Sequence, residues 1–138
     1  MNQVLDAWNE NDKQTYLSAL SYVLTAGDTK SEQRREFMKN KAREVKIPLA
    51  QIKKVRTPED LIAMLAKIHS IKVKRFIVRD MILMTLADHD LTDSEMHNIY
   101  DICAAVGIKS EKVDDFFLWA ARGLEWQVDG NRLVEEDI

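Results

Sequence analysis

The sequence predicts an all-α protein, a single compact bundle of seven or eight helices. Three observations predict it. Only 4 glycines and 2 prolines occur in 138 residues, too few for the turn signal that an all-β chain needs every ten or so residues. Apolar residues recur at helical spacing along most of the chain. Several segments open on a Ser or Thr followed three residues later by an acid, the signature of a capped helix start. A chain of this length buries roughly two thirds of its unfolded surface, so residues 1–138 are read as one domain with its own core.

The elements follow in order. A short opening helix covers Asn2 to Trp8, and Asn11 or Asp12 caps the next, whose apolar stripe is Tyr16, Leu20, Val23 and Leu24. It ends near Gly27. Thr29 then begins the string TKSE, with Glu32 placed to reach back to it, and the helix runs through Phe37, Met38 and Ala42 to about Val45. Pro48 opens a short helix from Leu49 to Val55. Thr57 caps the next, with Pro58 at its first position and Glu59 and Asp60 in a first turn where the helix dipole favours acids. From Val73 to Ala87 nearly every position is apolar, which predicts a helix enclosed by the others. Thr92 starts a second capping box, TDSE, and that helix stops at Gly107. Ser110 caps a last helix with the stripe Val113, Phe116, Phe117, Ala120, Ala121 and Leu124. The tail 125–138, with a turn signal at Asp129-Gly130, is read as irregular.

Charge is unevenly spread. Residues 1–28 hold one basic and four acidic residues, residues 29–79 hold fifteen and five, and residues 80–138 hold four and fourteen, within a net charge of -3. The basic middle can meet an anionic partner, and Arg34, Arg35 and Lys39 are its candidate partner-binding residues. A protein partner or an anionic membrane surface suits this charge. Nucleic acid is the less favoured partner, because Phe37 and Phe76, the aromatics interleaved with the basic residues, are assigned to the core. No apolar run reaches the roughly 18 residues that span a bilayer, and the single cysteine, Cys103, excludes an internal disulfide framework and fits a reducing, cytoplasmic setting.

Catalytic chemistry is sparse. No phosphate-binding glycine loop, nucleophile elbow or paired acid and base occurs, and Cys103 lies on an apolar stripe, so the chain is expected not to be an enzyme. The strongest cluster is acidic: Asp88, Asp90, Asp93 and Glu95 fall within eight residues at a junction between helices, oxygen ligands of the kind that hold Ca²⁺ or Mg²⁺. It is not an EF-hand loop, because Asp93 stands where the turn glycine belongs and Ile99 where the bidentate Glu belongs. The other reading of the same residues is capping and solvation, with Asp93 and Glu95 at a positive helix N-terminus.

Two segments resemble each other. In residues about 12–46, YLSALSYVLTAGD leads into TKSE and a helix with Phe37 and Ala42. In residues about 73–108, FIVRDMILMTLADHDL leads into TDSE and a helix with Tyr100 and Ala105. Each is a helical hairpin that needs a second to close a core, which predicts two pseudo-repeats. The string LADHDLTDSEMHNIYDICAAVGI, residues 86–108, resembles the tellurite-resistance TerB-like domains: an apolar helix, Ala87-Asp88, an acidic turn with Leu91, Glu95 early in the next helix, and a closing Gly107-Ile108. His89 stands where the family carries Gly. The weaker partner is LTAGDTKSEQ, residues 24–33. The resemblance implies a non-enzymatic accessory or adaptor domain of a stress-response module, cytoplasmic or peripheral at the inner face of a membrane, with an acidic cluster proposed to bind metal. A pure protein-interaction module without metal is the alternative.

Overall fold

The computed structural model describes residues 7–26, 31–87 and 91–136. Among them are six α-helices, one 3₁₀ turn and no strand: α1 (Glu10–Ala26), α2 (Glu32–Val45), the 3₁₀ turn Leu49–Gln51, α3 (Pro58–Ala66), α4 (Ile71–Leu86), α5 (Asp93–Ala105) and α6 (Ser110–Glu135). The opening helix expected at Asn2–Trp8 falls mostly outside the described residues, and Trp8 itself lies in a bend before α1.

Several starts match the expected caps. The Thr57 hydroxyl accepts from the Asp60 N–H with Pro58 at the first helical position, and Thr92 and Glu95 form a complete capping box at α5. Others are corrected. Asn9 caps α1 by accepting from the Asp12 N–H at 2.7 Å. The cap of α2 is Ser31, which accepts from the Arg34 N–H at 3.2 Å, so Arg34 and not Glu32 takes the third helical position. Ser70 caps α4, which begins at Ile71, two residues upstream of the expected Val73, and α6 begins after Lys109, with Ser110 already helical. Pro48 is followed by a single 3₁₀ turn in place of a longer helix.

Two ends are set by left-handed backbone. Lys46, at φ 60°, turns the chain out of α2 while its N–H bonds back to the carbonyls of Ala42 and Arg43. Gly107, at φ 86°, ends the α5 region, a conformation only glycine adopts without strain.

Helix α4 packs against α1, α2, α5 and α6. Its Ile77, Val78, Met81, Ile82 and Met84 are buried, as expected for an enclosed helix. Helix α3 bridges α1 and α5. Because α4 is surrounded, its two buried polar positions, Asp80 and Thr85, must be satisfied by neighbouring helices or within the helix itself.

The tail is the largest departure. Residues 125–135 continue α6 as helix, through Gly130, for which a turn was expected. Gly123 and Gly130 both lie inside this helix, and a Cβ at either would meet nothing within 4 Å.

Candidate functional site

The residues proposed from sequence do not gather into one site. Asp88 and Asp90 lie outside the described residues. Asp93 is exposed on the first turn of α5. Glu95 turns inward, and its carboxylate is occupied: Oε1 accepts from the Thr92 N–H at 3.4 Å, and Oε2 accepts from Arg34 Nη1 at 2.8 Å. Among the described residues no three His, Cys, Asp or Glu side chains are grouped to hold a metal ion.

Arg34 is corrected outright. It is 1% exposed and belongs to the core, not to a solvated basic face. Its Nη1 meets Glu95 on α5, and its Nη2 donates to the Thr85 carbonyl on α4 at 2.8 Å. The guanidinium thus sits between the last turn of α4, where carbonyls gather negative potential, and a carboxylate on the first turn of α5. The spacing explains why. Arg34, Met38, Ala42 and Val45 are the buried residues of α2, a single helical stripe that begins with an arginine. Arg35 and Lys39 do face solvent, each near an acid one turn back, with Arg35 Nη1 3.7 Å from Glu32 and Lys39 Nζ 4.0 Å from Glu36. Exposed pairs of this kind contribute little to stability.

A second buried polar group was not anticipated. Asp80 on α4 is 1% exposed. The Tyr16 hydroxyl on α1 donates to its Oδ2 at 2.5 Å, and Arg79 donates through Nε and Nη2 to its Oδ1 at 3.1 and 3.0 Å. Arg79 also covers the Phe76 ring at 4.2 Å and approaches the Trp119 ring on α6 at 5.5 Å. Trp8, Tyr16 and Phe76 pack edge to face beneath it. The signal was the charge itself: an acid inside an apolar run on an enclosed helix needs a partner. Burial first, and then the neighbouring Asp80 carboxylate, hold the Tyr16 phenol far above its ordinary value, so it remains a donor.

Burial likewise pushes the Cys103 thiol up from 9.0 to about 12. The unfolded chain releases this proton above pH 9 while the folded chain retains it, so stability falls as pH rises from about 9 toward 12, by up to about 1.4 kcal/mol per pH unit. Tyr16 adds to the fall above pH 10. Denaturant titrations at pH 8 and pH 10 should show a shallower loss for Cys103→Ala than for wild type, and an equal loss would mean that the thiol is accessible.

Two surface features remain. The first is a basic groove of about 270 Å³ between α4 and α6, edged by Lys72, Arg75, Arg79 and Lys112 with Phe76 and Phe116. The second is the outer part of α6. Residues 121–136 include no buried side chain among those described, and Leu124 is the last that packs on the core. Yet Trp126 is 83% exposed, Leu133 65%, Val134 85% and Trp119 49%. Between Trp119, Trp126 and α4 lies an apolar groove of about 430 Å³ that reaches Leu83 and Leu86. Scattered exposed apolar residues are ordinary, but two tryptophans and a leucine at seven-residue spacing on one helix are not. Gly123 and Gly130 each cost this helix about 1 kcal/mol relative to Ala, and nothing among the described residues approaches them closely enough to require glycine.

No helix among the described residues is long and apolar enough to cross a membrane. No protein-family model matches the chain, and comparison with curated proteins and with solved structures gave no match.

Proposed function

We propose that the protein is a non-catalytic adaptor domain that works by docking protein through the outer face of α6. The single observation that carries this reading is the bare apolar face Trp119, Trp126, Leu133 and Val134, a surface that water disfavours and that an interface would cover. The two buried polar groups, Arg34 with Glu95 and Asp80 with Tyr16, are closed off by packing and serve to join helices.

The likeness of residues 86–108 to tellurite-resistance TerB-like domains supports placing the adaptor in a stress-response module of the cytoplasm. Support for two pseudo-repeats comes from their equivalent caps. Ser31 and Thr92 each receive the N–H of the third helical residue, and those residues, Arg34 and Glu95, are each other's partners. A cation-dependent version of the adaptor would use Asp88, Asp90 and Asp93, since Glu95 is already paired. The basic groove, more than Arg35 and Lys39, is the better surface for an anionic partner.

The reading is tested by comparing proteins retained from the native host by wild type and by Trp126→Asp at equal loading. Trp126→Asp should lose retained protein while melting within about 3 degrees of wild type, because surface substitutions change stability little. Identical retention would remove the α6 face from the function.

A further inference from the structure

We propose that the occupant of this face is a second copy of the same chain, its α6 lying antiparallel to the first with the two-fold axis at residue 128. The inference rests on the reading of α6 as a docking surface and names its partner.

The argument starts from spacing. Trp119, Trp126 and Leu133 recur every seven residues, and Gly123 and Gly130 recur every seven residues between them. That is the pattern of the two core positions of a coiled-coil seam. Large residues hold one position and glycines the other, so the face can match only a surface with the opposite order. An antiparallel copy of itself supplies that order. With the axis at residue 128, each Trp126 lies over the partner's Gly130 and each Leu133 over the partner's Gly123. A parallel copy would set Trp126 against Trp126 and glycine against glycine, a clash beside a void. The open space around Gly123 and Gly130, where an added Cβ meets nothing within 4 Å, is the space an incoming indole and leucine side chain require.

A separate fact fixes the same axis. The stretch of α6 with no buried side chain among those described runs from 121 to 135, and its midpoint is residue 128. About 15 residues of helix span roughly 22 Å, so antiparallel overlap of the two bare stretches leaves the two bodies at opposite ends, clear of each other. Charge agrees at the flanks, where Arg122 approaches the partner's Glu136. Asp129 falls near its own copy, with its charge offset by Arg132 at 3.8 Å. The same patch meets itself, as a two-fold dimer requires. Burying the tryptophan, leucine and valine side chains would remove on the order of 500 Å² per copy, near the lower bound of specific interfaces, which points to reversible pairing at micromolar concentration.

Sedimentation equilibrium from low micromolar to several hundred micromolar is the test. The weight-average mass should rise from 16.0 kDa toward twice that value, and the melting temperature should rise with concentration. Gly130→Leu should remain monomeric while its circular dichroism shows at least the wild-type helicity, because leucine is the better helix former but fills the notch. In a Cys103→Ala background, Gln127→Cys should oxidise to a homodimer whereas Arg122→Cys should not. The antiparallel register brings residue 127 beside its own copy and sets the two copies of residue 122 roughly 18 Å apart, while a parallel register would keep both level. A mass fixed at 16.0 kDa at every concentration overturns the proposal, as does a dimer that Gly130→Leu leaves intact. If wild type stays monomeric while Trp126→Asp loses a different retained protein, self-pairing fails and the docking role of α6 stands.

Discussion

Arg34→Ala should destabilise the domain by about 3 to 5 kcal/mol, the usual result of removing one partner of a buried ion pair, and lower its melting temperature by about 10 to 20 degrees. The side chain is enclosed and holds α2 to both α4 and α5. Removing it leaves the Glu95 carboxylate, itself 14% exposed, without its cation and the Thr85 carbonyl without that donor. Reversal to Glu would be worse, placing two carboxylates together. A calorimetric scan settles the point. A loss below about 1 kcal/mol would show that Arg34 is solvated, as the linear charge pattern first implies. Pairing Arg34→Met with Glu95→Met should recover much of the loss, because two apolar groups need no compensation.

Asp80→Ala is expected to cost about 2 to 4 kcal/mol. It strips the Tyr16 hydroxyl of its acceptor in a fully buried position and removes the carboxylate that neutralises Arg79. Tyr16→Phe should cost less, about 1 to 2 kcal/mol, since Arg79 still binds the carboxylate. The two substitutions share one contact, so their effects should not add, and a double-mutant cycle reads the coupling. Strict additivity would mean that the hydrogen bond between them contributes nothing.

Much of the architecture was legible because local signals agreed with one another. Thr57-Pro58, the Thr92 capping box, Gly107 and the apolar run through Met81 each fix an element alone, and the structure has all of them. The misses share a cause. Arg34 was assigned by charge when its position on the stripe with Met38, Ala42 and Val45 decided its burial. Asp80 follows Arg79 inside an otherwise largely apolar run, where the linear pattern hides it, although burial makes such an acid the position most in need of a partner. Gly130 follows Asp129, a pair that marks hairpin turns, yet the seven-residue repeat that it shares with Gly123 runs along a helix. The acidic turn was read from composition, which does not reveal that one of its four carboxylates is engaged by an arginine 61 positions away.

The placement of the bare face at the end of α6 bears on how the chain is made. Among the described residues Ala120 is the last buried one and Leu124 the last to pack on the core, so every described side chain of the interior has left the ribosome before Trp126 and Leu133 emerge. Apolar surface exposed on a half-folded chain invites aggregation. Here the adhesive segment follows the interior, so the described core can already be closed when it emerges. A synthesis that stops just after Leu124 would therefore yield a folded body that keeps Trp119 but lacks Trp126, Leu133 and Val134, whereas moving residues 125–136 to the front of the chain would expose them throughout folding.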